Sequence, residues 1–177
     1  METFEQLFEE TLKDIYYAEK AILKALPKMA KKASSEDLSA AFTAHFAETE
    51  QQVVRLEEIF HSLGKKARGK KCPAIDGILE EGAEIMKDTK DNTIRDAGML
   101  AAAQAVEHYE ISRYGTLKAW AEKLGLTDAV SLLDETLQEE KATDEKLTEL
   151  ADSEINIEAL EGDEEEKSSR PRKKKRT

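Results

Sequence analysis

The sequence has few of the residues that break helices or staple small folds. Its 177 residues include three prolines, eight glycines and a single cysteine, Cys72. One cysteine excludes an intrachain disulfide and suits a reducing compartment; its simplest reading is an ordinary thiol beside a turn. No apolar run is long enough to span a bilayer, and the first residues, Met1-Glu2-Thr3-Phe4-Glu5, are acidic rather than signal-like. The expectation is therefore a cytoplasmic protein with no membrane partner. An excess of positive charge is also missing. The net charge of −11 would repel phosphates and argues against a body that binds nucleic acid.

What is present favours long helices. Charged residues make up 37% of the chain and aromatics only 6%, and Ala, Leu, Glu, Lys and Gln dominate, all good helix formers. The length suits one domain with a real core, or one domain and a tail. Phe8, Leu12, Ile15, Ile22, Leu23 and Leu26 recur at three- and four-residue spacing and predict a first helix over residues 4–32. Pro27 should distort its last turns. Ser34 or Ser35 can cap a second helix that carries Leu38, Phe42, Leu56, Ile59 and Phe60 and stops near Gly64.

A basic loop, residues 65–71, follows, and Pro73 can open a short helix to about residue 87. A third long helix should run from Asn92-Thr93 to Leu124, ended by Gly125. Thr127 can cap a fourth, reaching about Ala151 with Leu133, Leu137 and Leu147 in phase. Short loops within each pair force antiparallel neighbours, and the long crossover lets the pairs close into an all-α, ferritin-like antiparallel four-helix bundle over residues 1–151. Residues 152–177 read differently. An acidic block, 161–166, precedes a basic run, 170–176, and so few apolar side chains predict a disordered, solvated tail. The basic run is the one segment suited to nucleic acid, a weaker reading than solvation or pairing with the acidic block.

The informative feature is polar residues where leucines belong. Glu19 interrupts the first stripe, His45, Thr49 and Gln52 the second, Gln104, Glu107 and Glu110 the third, and Glu140 and Asp144 the fourth. Glu48 stands one turn from His45. Buried carboxylates need cations or protons to neutralise them. Their heights also match. Glu19 and Glu48 are equally far from the first turn, as are Glu110 and Glu140 from the second, with Glu107 nearly level with Asp144. Such a set suits two divalent metal ions, iron or manganese, because the ligands are mostly oxygen. The candidate metal ligands are Glu19, His45, Glu48, Glu107, Glu110, Glu140 and Asp144.

Glu19 and Glu140 are hard to explain as surface groups, but others have a plainer alternative. Glu48 and Glu110 lie towards the flank of their stripes and suit boundary salt bridges. His45 suits a hydrogen-bonded core histidine, and Asp144 suits orienting a ligand rather than being one. His108 sits at the boundary, His61 reads as exposed, and Tyr16 and Tyr114 read as packing residues.

Several stretches in order resemble the YciE/YciF family of bacterial stress-associated proteins. They include Tyr17-Ala18-Glu19, the run from His45 to Gln52, the run from Gln104 to Glu110, and the run from Glu139 to Asp144. Lys70-Lys71-Cys72-Pro73 and Arg113-Tyr114-Gly115 belong to the same pattern, which covers roughly the first 150 residues. The resemblance implies a ferritin-like fold, a dinuclear metal site, a homodimer and a link to stress. The expected function is a di-metal protein acting on a small oxidant or on ferrous iron, with a non-catalytic bundle whose buried polar network is structural as the alternative. Ferritins and rubrerythrins carry a second Glu-x-x-His that this chain lacks; its fourth helix has no histidine.

Overall fold

A computed structural model describes residues 1–169, with side chains through residue 162. Four long helices form the frame: α1 (Phe4–Lys32), α2 (Glu36–Ser62), α4 (Asn92–Leu124) and α5 (Thr127–Leu150). The crossover carries α3 (Pro73–Asp88), and a π-helical turn (Ala151–Ile155) leads into α6 (Asn156–Ser169). Directions follow from contacts at the helix ends. Phe4 packs edge-on against Trp120, ring centres 5.6 Å apart, so the start of α1 meets the end of α4. Arg55 near the end of α2 binds Glu135 and Glu139 in the first half of α5. Each long helix is thus antiparallel to its two neighbours, in the cyclic order α1, α2, α5, α4.

Local chemistry sets the boundaries close to where the sequence puts them. Ser35 caps α2 by accepting the Leu38 amide, and Gly125 ends α4 at φ 71°, a left-handed conformation that favours glycine. Helix α1 runs on through Pro27 to Lys32. Thr127 is the first residue of α5 rather than its cap; Leu126 holds the cap position with no side-chain bond. The core is a single cluster in which Phe8, Leu12, Leu38, Phe60, Met99 and Leu133 are essentially inaccessible.

Two pins fix the ends of the bundle. Asp96, buried on α4, accepts hydrogen bonds from the Ser34 amide (2.9 Å), the Ser34 hydroxyl (2.5 Å) and the Ser35 amide (2.7 Å). It thereby ties the α1–α2 turn to the start of α4. The crossover is held by the Lys70 amide donating to the Lys13 carbonyl (3.0 Å) and by buried Cys72, whose sulfur lies 3.0 Å from the Tyr109 hydroxyl. Tyr109 in turn donates to Asp14 at 2.6 Å. Cys72 is therefore not an idle thiol: it accepts the Ile75 amide and caps α3. Helix α3 then approaches α4 so closely that a Cβ on Gly98 would lie 2.6 Å from Ile85 Cγ2.

The segment after Asp152 departs from the expectation of a disordered tail. The chain stays helical through Ser169, and α6 packs against α4. Across the π-helical turn Ala151 and Ile155, four residues apart, are both buried while Asp152 and Ser153 face solvent. The Ser35 hydroxyl donates to Glu154 at 2.8 Å and joins this turn to α2. The basic run 170–176 lies outside the described residues.

Replacing Asp96 by Ala would remove the acceptor shared by the Ser34 amide and hydroxyl and the Ser35 amide. Hydrogen bonds to a charged group contribute about 1.5–3 kcal/mol each, so D96A is expected to lower unfolding free energy by roughly 3 kcal/mol or more. Urea denaturation would show this as a lower midpoint at unchanged slope; a midpoint within experimental error of the wild type would refute the pin.

Candidate metal centre

The four long helices each bring an acid or an imidazole to one level of the core. Glu19, Glu110 and Glu140 have no accessible surface, Glu107 has 1% and His45 4%. One ligand atom from each of His45, Glu107, Glu110 and Glu140 falls within a set whose members all lie within 4.8 Å of one another. His45 Nε2 stands 3.2 Å from Glu107 Oε1, and its Nδ1 stands 3.6 Å from Glu48 Oε2. Glu19 borders this group from α1, beside Glu110, and accepts the hydroxyl of fully buried Tyr114.

Not every expected ligand converges. Glu48 is half exposed and accepts from Thr143 at 3.3 Å. Asp144 sits one step outside, 3.1 Å from His108 Nε2 and near the Gln104 amide. Its level matches that of Glu107, but the residues that touch Glu107 are His45 and Glu140. His108 is exposed, as its boundary position suggests. Tyr114, read from sequence as packing, in fact bonds a carboxylate; its fall among leucines on the α4 stripe carried no sign of this.

The electrostatics follow from crowding acids in a dry place. Burial raises Glu19 to about 7, against the lowering effects of the Tyr114 hydroxyl and the His45 charge. Burial also pushes Glu110 and Glu140 far above the ordinary carboxylate range, and repulsion from neighbouring carboxylates adds to the rise. Glu107 is raised by burial too, with His45 opposing. Burial works against a charge on His45, but Glu48, Glu107 and Glu19 outweigh it and its net shift is upward. Glu48, beside the His45 ring, is held below its usual value.

The residues fit a metal by their unmet bonding. Glu19 Oε2, Glu107 Oε2, both oxygens of Glu110 and of Glu140, and both His45 nitrogens are buried with no hydrogen-bond partner in the protein. Buried polar atoms are seldom left so. Four carboxylates carry the charge that two divalent cations would balance, and the converging atoms supply enough donors for shared ligation.

Comparisons with known proteins agree with this frame. A family described as a domain of unknown function, DUF892, matches residues 3–160. The chain belongs to this family. Protein YciF of Escherichia coli (strain K12) is 48% identical over 160 residues, covering 90% of this chain and 96% of the relative. The crystal structure of that E. coli stress protein matches with a TM-score of 0.84 over 88% of this chain and 99% of the other. YcfI of Rhodopseudomonas palustris, for which a structural role has been suggested, is 52% identical with a TM-score of 0.82, covering 83% of this chain and 94% of that one. A protein of Xanthomonas campestris pv. campestris, 21% identical, shares the fold with a TM-score of 0.71 over 92% of this chain and 99% of that chain. This DUF892 protein is thus a homologue of a stress protein, with a ferritin-like bundle and a buried acid–histidine cluster. Among the described residues no helix is long and apolar enough to cross a membrane.

Around the cluster of this family member lies a clamp that the sequence did not reveal. Arg55 donates to both oxygens of Glu139 at 2.7 Å and to Glu135 at 2.6 Å. The Gln52 amide reaches Glu139 at 3.2 Å. An arginine on the polar side of a helix signals a salt bridge only when its partner helix is known.

The raised acids make a pH prediction for chelator-treated, metal-free protein. A carboxyl protonated in the fold but ionised when unfolded costs stability as pH rises above its unfolded value, 4.5, and towards its folded one, about 7 for Glu19. For Glu19 alone this amounts to roughly 3 kcal/mol. His45, raised in the fold, acts in the same direction, because the stability it adds below its unfolded value is lost as pH rises. The melting temperature should therefore fall from pH 5 to pH 8, and Glu110→Gln should flatten the fall. A metal-free protein that gains stability across that range would contradict the assignment.

Proposed function

We propose that this chain is a stress-associated protein that holds two divalent ions, iron or manganese, in its bundle core and uses them on a small oxidant or on ferrous iron. The observation that carries the reading is the set of unpartnered donor atoms on Glu19, His45, Glu107, Glu110 and Glu140, buried together with too much negative charge to stay ionised alone. Glu107, Glu110, Glu140 and His45, which converge, would hold the ions together with the neighbouring Glu19. Glu48 faces Nδ1 of His45 and would fix the ring with Nε2 turned to the metal. Asp144 and His108 form a polar pair one step outward, suited to tuning the site or to passing a proton to solvent. Bound iron or manganese would supply one-electron redox chemistry towards a small oxidant or ferrous iron. Tyr114 keeps its proton, raised by burial and by the charges of Glu19 and Glu110, and so remains a donor to Glu19. A cytoplasmic homodimer, with Trp120 and Leu132 on the contacting face, belongs to the same reading.

One observation favours a second reading. The polar ties among helices, Asp96 to Ser34 and Arg55 to Glu139, would fix register without any metal, and a structural role has been suggested for the R. palustris relative. In that case the acids of the core would stay neutral by sharing protons.

Elemental analysis separates the two. Protein purified without an affinity tag and dialysed against a mild chelator should hold about two iron or manganese ions per chain. Anaerobic Fe(II) or Mn(II) at a hundredfold excess over its dissociation constant should stabilise the metal-free protein by about 3 kcal/mol. Glu140→Ala should abolish that gain while leaving the metal-free protein as stable as the wild type or more so, because it removes a buried carboxyl that has no hydrogen-bond partner and whose raised pKa costs stability at neutral pH. Near-zero metal that added Fe(II) or Mn(II) does not restore would instead establish the structural bundle.

A further inference from the structure

Between the acid–histidine cluster and the α1–α2 end of the bundle lies a cavity of ≈ 20 Å³. That exceeds the roughly 10–15 Å³ needed to hold one water, so the space is of the scale of a diatomic molecule. Its wall is almost wholly apolar, with Phe42 and Leu147 across it from one another's helices, and its floor includes His45 and Glu107. The space exists because small side chains stand where the core would otherwise fill: Ala41 on α2 and Ala103 on α4 line it. Helix α3, held to the bundle through Cys72 and Gly98, closes it with Leu79.

We infer that this cavity is a binding site for one small, neutral, apolar molecule of the dioxygen class, held against the His45–Glu107 side of the metal centre. Size and polarity both point there. A water needs two to four hydrogen-bond partners to settle, and an apolar cavity of this kind stays dry and takes up apolar guests. Polar atoms meet the chamber only at His45, Glu107 and Thr143, so a hydrated cation would lose most of its shell there and hydrogen peroxide could pair its hydroxyls only at that edge. Dioxygen has no such bonds to lose. Ferrous iron would have to reach the cluster by another route. The consequence for oxidant chemistry rests on the metal reading; the cavity's occupancy does not.

Xenon is the probe, because it matches the guest in polarity and needs no metal. Metal-free wild type in xenon-pressurised crystals should show one xenon among Phe42, Ala103 and Leu147. Ala103→Leu should remove it while the melting temperature stays near or above that of the wild type; Ala103→Val serves if leucine overpacks the site. In the ferrous-loaded protein the same substitution should raise the dioxygen concentration needed for half-maximal iron oxidation several-fold, with iron stoichiometry unchanged. Absence of xenon from the wild-type cavity overturns the site. Loss of xenon in a folded Ala103 variant with an unchanged dioxygen dependence overturns its role in delivery. Xenon uptake by a chain that never holds metal supports the apolar site and sinks the metal reading instead.

Discussion

A carboxylate removed from water must meet a proton, a cation or a dense set of donors, and the core of this bundle offers its acids few donors. Tyr114 serves one oxygen of Glu19, and His45 stands against one oxygen of Glu107. The remaining oxygens of Glu110 and Glu140 face other carboxylates. Leaving an ion unpaired in such a place costs several kcal/mol, a large share of the stability of a domain this size. The rest of the fold has to bring these groups together in spite of that cost and hold them there.

The structure does so from the periphery. Asp96 draws the α1–α2 turn onto the head of α4, and the Arg55–Glu139 clamp locks α2 to α5 beside the cluster. Arg55 is largely shielded and bidentate, so this ion pair is of the kind whose geometry adds to stability. On the third side, Cys72, Tyr109 and Asp14 form a chain that carries the crossover across α4 and α1. All three ties lie outside the cluster. Their positions leave its donor atoms free, which is what a site built for a ligand needs and a purely structural polar network does not.

The frame was legible in the sequence because long helices with short turns repeat one simple pattern. Heptad-like stripes, serine caps and Gly125 located the four long helices to within a residue or two. Equal distances from each turn found the level of the cluster, since helix rise is fixed. What those distances do not contain is rotation about each helix axis. Glu48 and Glu107 both satisfied the height rule, yet one is half exposed and the other buried. The continuation past Ala151 was hidden for another reason: so few apolar side chains follow that composition does not show that Ile155 joins the core. The Arg55 clamp and the Asp96 pin join residues 84 and 62 positions apart, and such pairs become visible only once the helices are placed.

The ligand set and the cavity beside it carry one selectivity argument. Four carboxylates against one imidazole form a hard, oxygen-rich site, which favours manganese or iron over softer ions. Filling it cancels most of the local negative charge and with it the repulsion that keeps Glu110 and Glu140 protonated. Protons must therefore leave as metal enters, so occupancy itself depends on pH. The chamber beside it is apolar except at its His45–Glu107 floor and Thr143, so most of its wall has no charge to respond to that exchange. The two halves of the site thus select by different physics: one by charge and hardness, the other by size and the absence of hydrogen bonds. A cation and an apolar oxidant could then each have a binding place without competing for the same atoms.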